Sequence, residues 1–257
     1  MSDHLILMTR FPLIGHSKSR FIPALGARGA ARLQRKLIEH AVAVAREWRD
    51  EGHDRRVQVS CDRASVDEYR EWLGQDLDYG AESGGSLGAR MAVASVRAFS
   101  RGADRVVLVG TDCPDLDTAQ INRGFYGLEH ADCVIGPTTA GAYYLVGLVT
   151  PTPALFAGIP WGTDRVAAIT RGRMDALGWD RAELPVLWDI DRPEDLLRLR
   201  PDRLASALEY ELQYRFAPEI GQDQDDEATQ GPDDGRAATP AVAEAADEQG
   251  TEDQPAQ

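Results

Sequence analysis

Short apolar runs alternate along the chain with longer stretches in which apolar side chains return every third or fourth position, the pattern of strands followed by amphipathic helices. His4 to Thr9 reads as the first strand. Leu33, Leu37, Ile38, Ala41 and Val44 then mark a helix over about Arg28 to Trp48. Arg56 to Cys61 is the second strand, Ser65 to Leu73 a short helix, and Gly80 to Ser86 a loop opening a helix over Leu87 to Ser100. The β-branched run Arg105 to Val109, bounded by Gly102 and Gly110, is a strand buried on both faces. A helix over Thr118 to Leu128, strands at Cys133 to Ile135 and Tyr143 to Val149, and a helix over Thr163 to Leu177 follow. Leu184 to Trp188 is expected as a last strand, with helices over Pro193 to Leu199 and Leu204 to Tyr214. Such alternation predicts one α/β domain around a mostly parallel sheet, over residues 1–217.

Beyond Ala217 large apolar side chains all but vanish, so residues 218–257 cannot offset the entropy of ordering and are expected to be a disordered acidic tail. That tail holds 12 acidic residues and one arginine, which is 11 of the chain's formal charge of −14. The folded part is nearly balanced, against a strongly basic nucleic-acid-binding face. Cys61, Cys113 and Cys133 have neither disulfide parity nor metal-ligand spacing, and no apolar run is long enough for a membrane span, so a cytoplasmic protein is expected. Of 28 basic residues only Lys18 and Lys36 are lysines, which singles out Lys18.

Candidate chemistry gathers where strands end, the place open α/β sheets bind ligands. After the first strand comes Arg10-Phe-Pro-Leu-Ile-Gly-His-Ser-Lys-Ser-Arg20: Gly15 permits a turn, and Arg10, Lys18 and Arg20 are able to converge on a phosphate. A solvated basic loop is the competing reading. The loop has neither Walker spacing nor a GxGxxG fingerprint. In Gly110-Thr-Asp-Cys-Pro-Asp-Leu116, Asp112 is placed to hold a divalent cation against a diphosphate, or to make an Asx turn or cap, the role better suited to Asp115 and Asp117. Asp191, with Pro193 and Glu194 behind it, is an N-cap, a second cation ligand, or both, with Asp189 a lesser candidate. In Gly136 to Leu148 small residues around Gly141 allow close backbone approach, while Tyr143 and Tyr144 either flank a ring or fill core. Leu87, Gly88 and Arg90 open a helix whose amide end favours an anion or a nucleotide edge, unless Arg90 is merely surface.

Taken in order, FPLIGHSKSRF, LGARM, GTDCPDL, GPTTAGAYYLVGL, Phe156 followed by Trp161, and DIDRPEDL resemble a bacterial and archaeal family of glycosyltransferase-A-like (GT-A) proteins of unknown function, also described as radical-SAM-associated transferases. The family pattern runs KxPxPGxxKTRL, LGxRM, GTDCPDL, GPxxDGGYYLIGL and DIDxxxDL, and the likeness covers about residues 4–200. It implies a Rossmann-like nucleotide-diphospho-sugar transferase domain, akin to molybdenum-cofactor and phospholactate guanylyltransferases, using Mg²⁺ or Mn²⁺. By position, Lys18 and Arg20 would meet phosphates, Leu87, Gly88 and Arg90 would lie near the nucleoside, and Asp112 and Asp191 near the metal.

One departure matters: Ala140 stands where the family's DGGYY has Asp, removing an acceptor for a hydroxyl or a proton. The implied reaction is sugar transfer from a nucleotide-sugar to a small-molecule acceptor. Nucleotidyl transfer from a nucleoside triphosphate, and nucleotide binding without turnover, are the alternatives.

Overall fold

The computed structural model describes residues 1–82 and 84–199. Seven strands, β1 (Asp3–Met8), β2 (Arg55–Cys61), β3 (Asp78–Ala81), β4 (Arg105–Gly110), β5 (Cys133–Pro137), β6 (Tyr143–Leu148) and β7 (Arg181–Glu183), form one sheet in the order β3-β2-β1-β4-β6-β5-β7. All neighbours are parallel except β6, which is antiparallel to both β4 and β5. The mostly parallel mixed sheet expected from the sequence is therefore present. Strand order runs outward in opposite directions from β1 and β4, so their carboxyl ends flank the topological switch point where such sheets open a crevice.

Helices α1 (Ile22–Asp50), α2 (Val66–Leu73), α3 (Leu87–Ser100), α4 (Thr118–Gly127) and α5 (Val166–Ala176) cover both faces. Alternation decides which strand residue faces which helix. Leu5, Leu7, Val107 and Val109 pack with Ile38, Trp48 and Phe125, while Ile6, Val106, Leu108 and Ile135 face Met91, Phe156 and Met174. Trp48 stacks on Phe125 with centroids 4.8 Å apart. At the amino ends of β1 and β4, Asp3 and Arg105 lie opposite in register and form a buried bidentate pair at 2.7 and 2.9 Å. A smaller cluster of Phe21, Leu33, Leu37 and Ile190 seats the segment after Trp188 against α1, which matters for the site.

Four expectations need correction. Gly80 to Ser86 is not all loop: Gly80 and Ala81 end β3, a short half-exposed edge strand without the apolar alternation that would announce it. The last strand is Arg181–Glu183 rather than Leu184 to Trp188. Pro185 carries no N–H for the ladder, and only Leu187 makes an isolated bridge, with Thr138. The long first helix begins at Ile22, broken by Gly26 at φ +69°. Residues Pro193–Arg198 form a 3-10 turn in place of an α-helix, and the Asp195 carboxylate, not Asp191, accepts from the amides of Asp191 and Arg192 at its start. The helix expected over Leu204 to Tyr214 and the acidic tail lie outside the described residues.

Candidate functional site

The segment after β1 runs across the switch point and is turned by two left-handed residues, Gly15 at φ +79° and Lys18 at φ +46°. For Lys18 that backbone is costly, and what holds it is at the other end of the side chain. Its side chain is 8% exposed, and its ammonium donates to the Ile190 carbonyl at 2.6 Å and lies 3.0 Å from Asp112 Oδ1. The Ile190 amide in turn donates to the Asp112 carbonyl at 2.9 Å. Three chain segments, those after β1, after β4 and after Trp188, are thus fastened at one point. Arg20, one 3-10 turn further on, pairs with Asp191, and both are about half exposed.

The neighbouring acids have separate duties. Asp117 caps α4, accepting from the Gln120 amide at 3.1 Å, and Asp115 accepts from Trp188 Nε1 at 2.6 Å. Asp112 is used by neither; its side chain is half exposed and Lys18 is its partner. Asp189 is the surprise. Its Oδ1 is buried with no hydrogen-bond partner, and burial, aided by the negative charges of Asp112 and Asp191, pushes its carboxyl above the usual range.

An open cavity of about 860 Å³ is lined by Lys18, Arg20, Asp112, Asp164, Asp189 and Asp191, among others. Ala140 lines it too, so the position lacking the family's acid faces the same space. Among the described residues no three acidic, histidine or cysteine side chains converge to hold an ion by themselves. Two oxygen donors completed by water and substrate phosphate are what Mg²⁺ ordinarily takes. Asp112 with Asp189, whose Oδ1 has no partner, fits that demand; Asp191 lies on the same wall, paired with Arg20 as Asp112 is with Lys18.

A second cavity of about 310 Å³ adjoins the first through Arg10, Asp112 and Asp189, and has walls of Leu87, Met91, Tyr143 and Trp161. Arg90 lies in it, 10% exposed, with Nη1 2.6 Å from Asp62 and also on Glu82. It is not a surface residue. Burial pushes the Glu82 carboxyl up, and Ser60 Oγ donates to it at 2.9 Å. Arg10 reaches Asp62 at 3.3 Å. Ser86 caps α3 through the Ala89 amide, and Gly88 is required for packing: a Cβ there would stand 2.3 Å from the Phe156 carbonyl.

The two tyrosines divide as alternating strand residues should. Tyr144 is 2% exposed core with its hydroxyl donating to the Pro185 carbonyl, while Tyr143 turns to the other face and meets Trp161 edge-to-face at 6.1 Å. Gly141, at φ +81°, lets its loop press on the chain at Asp164, whose carbonyl would lie 2.1 Å from an added Cβ. Its role is that close approach. Gly15 likewise contributes a turn in an exposed stretch of loop. Asp62, Glu82 and Asp164, which the sequence does not single out, line these cavities, and Asp189, expected as the lesser candidate, lines both of them beside Asp112. Asp62 and Glu82 follow β2 and β3 directly, a signal that β3, without apolar alternation, hides in the case of Glu82.

Comparison with known proteins narrows the identity. Residues 43–163 match DUF2064. That model is described as an uncharacterized protein conserved in bacteria, and the stretch it matches holds LGARM, GTDCPDL and GPTTAGAYYLVGL. The resemblance to a GT-A-like family of unknown function holds. No curated protein matches the chain. A candidate nucleotide-diphospho-sugar transferase from Desulfovibrio desulfuricans G20 is 27% identical with a TM-score of 0.73, over 84% of this chain and 98% of that one. The bifunctional IspDF of Campylobacter jejuni shares the fold at 11% identity and a TM-score of 0.53, over 77% of this chain and 54% of that one. A nucleotidyl transferase from Methanothermobacter thermautotroptrophicus does so at 18% identity and a TM-score of 0.50, over 80% of this chain and 99% of that one.

Proposed function

We propose that the DUF2064-like chain is a nucleotide-utilising transferase in which a divalent cation, Mg²⁺ or Mn²⁺, assists transfer of a sugar from a nucleotide diphosphate to a small-molecule acceptor. One observation carries this reading. At the β1/β4 switch point an Asp112 carboxylate not used as a cap stands beside a buried lysine, near Asp189, whose buried Oδ1 has no hydrogen-bond partner. Cationic and anionic groups brought together there suit a ligand that is itself charged and bridged by a cation. The likeness to the Desulfovibrio protein agrees with it.

In this reading Asp112 and Asp189 would hold the cation, which when bound neutralises diphosphate charge and makes the nucleotide a better leaving group. Lys18 is fixed by Ile190 and needs no reorganisation to meet negative charge building on the departing phosphate oxygen. Arg20, paired with Asp191, lines the same wall and is able to transfer its donors to phosphate. Asp164, whose backbone packs against Gly141 next to Ala140, lines the same cavity and would be an acid close to the position of the missing one.

A second reading, nucleotidyl transfer to a phosphorylated acceptor, is favoured by Ala140 together with Arg10, Arg20 and Arg192 lining the cavity: a phosphate oxygen attacks without surrendering a proton, so no base is needed. Calorimetric titration of UDP, GDP and their sugars with and without Mn²⁺ tests the first reading. Binding that is indifferent both to the cation and to Asp112→Ala would refute it. Pyrophosphate release from a nucleoside triphosphate would select the second.

A further inference from the structure

β7 ends the sheet on one side, and among the described residues nothing pairs with its outer edge. The direction of its backbone groups is fixed by the inner side. The Asp180 carbonyl accepts from the amides of Asp132 and Cys133, and the Leu184 amide donates to the Ile135 carbonyl, so both face β5. Alternation along the strand then turns Ala182 toward β5 as well and leaves the amides and carbonyls of Arg181 and Glu183 facing outward. Edge strands usually carry charge that repels another strand. The two charges here are opposite in sign and two residues apart, which has the contrary effect on a strand of the same sequence.

An antiparallel strand added to this edge must exchange its hydrogen bonds with residues 181 and 183. A second β7, related by a two-fold axis at Ala182, meets that demand: Arg181 falls opposite Glu183 and Glu183 opposite Arg181, both at hydrogen-bonded positions and both opposite in charge. Arg181 spends Nε on its own Glu183 at 3.1 Å and Nη1 on Asp175 and the Arg171 carbonyl, and Nη2 has no partner among the described residues. That leaves a donor on each copy for the carboxylate of the other. At the axis the two Ala182 side chains meet at a non-hydrogen-bonded position, where strands approach most closely and a small residue is needed. Ala182 packs on α4, its Cβ 3.2 Å from where a Cβ on Gly127 would stand, and the flank beside it is apolar: Tyr126, Leu184 and Pro185 line an open cavity of about 530 Å³. Tyr126 is 64% exposed there. At the opposite edge, β3 paired with itself would set Asp78 against Ala81 and has no such match. We infer that β7 is the surface through which two copies of this chain associate, joining their sheets edge to edge with Arg181 of each on Glu183 of the other.

Sedimentation velocity of the full chain tests this. An interface built on so short a strand is small and its dimer weak, so between about 1 and 200 μM the mean mass should climb from 28.1 kDa toward twice that value. Arg181→Glu sets like charges opposite one another in both symmetry-related pairs and should weaken association at least about tenfold, as should Glu183→Arg. An equimolar mixture of these two single variants makes every cross-strand pair opposite again and should associate as wild type does, which a loss of contacts within one chain would not produce. Circular dichroism establishes that each variant is folded. Should either fail to fold for want of its own Asp175 or Arg171 contact, Tyr126→Glu, at an exposed position of the same surface, replaces it and should also weaken association. A monomer across the whole range would overturn the inference. So would a dimer that these variants leave intact, or a mixture no more associated than its components.

Discussion

Replacing Lys18 by Met keeps the buried stem and the left-handed backbone and deletes only the ammonium. The deleted group donates a charged hydrogen bond to the Ile190 carbonyl, worth about 1.5–3 kcal/mol, and pairs with a half-exposed Asp112, worth at most about 1 kcal/mol once solvent screens it. A loss of about 2–3 kcal/mol follows. For a domain of this size that lowers Tm by about 4–12 °C. The informative measurement is a double-mutant cycle in urea with Lys18→Met, Asp112→Asn and both. If Lys18 is chiefly a strut to Ile190, the coupling energy between the two positions stays below about 1 kcal/mol and Asp112→Asn alone is nearly neutral. Asp112 is then free for a ligand. A Lys18→Met variant as stable as wild type, or a coupling above about 2 kcal/mol, would refute this account, because the carboxylate would be a structural partner of the lysine.

The same physics gives further expectations elsewhere. Arg105→Ala leaves Asp3 buried and unpaired, and equilibrium unfolding should show a loss of about 3–5 kcal/mol that Arg105→Met/Asp3→Leu largely restores. Gly141→Ala meets both a φ of +81° and the Asp164 carbonyl at 2.1 Å, so calorimetry should record a Tm lowered by more than the αL penalty of about 1–2 kcal/mol would give. Burial pushes the Cys61 and Cys133 thiols up to about 12 and Cys113 well above its ordinary value; at pH 8 a thiol reagent should label none in the native protein and all three in denaturant. Glu82 has a folded pKa raised above its unfolded one, so the folded state holds that proton more tightly. Its contribution to stability is largest below the ordinary glutamate value and is lost as pH rises through the raised one. Urea unfolding should show this slope in wild type and not in Glu82→Gln.

How much of this was readable in advance depends on where each signal is stored. Central strands announce themselves because burial on both faces demands unbroken apolar runs: β4 reads RVVLVG and is seen at once. β3 reads DYGA, half exposed at the sheet edge, and its existence depends on pairing with β2 rather than on its own composition. The error at Leu184 to Trp188 has a similar origin. Leu184, Val186 and Leu187 are apolar, but Pro185 withholds a donor and the ladder forms three residues earlier, on Arg181–Glu183. Capping chemistry was legible at Asp117, where the sequence carries both partners of the box, and misread at Asp191, where Asp195 takes the amides instead.

The site shows the same division more sharply. Lys18, Arg20 and Asp112 could be singled out because they sit on loops after apolar strands, where side chains are not explained by packing. In DIDRPEDL two aspartates two residues apart offer equal chemistry, and only the path of the chain separates them. Ile190 is buried among Phe21, Leu33 and Leu37, so its backbone is fixed, and that orients Asp189 inward while Asp191 turns toward Arg20. Burial then raises the Asp189 carboxyl's pKa, and a carboxyl poised in that way gains most from an approaching cation. The different orientation of the two carboxylates therefore traces to an isoleucine with no chemistry of its own. For the same reason Asp189→Asn should weaken cation-dependent nucleotide binding more than Asp191→Asn does. Equal losses in calorimetry would show that this difference in orientation does not decide the cation ligand.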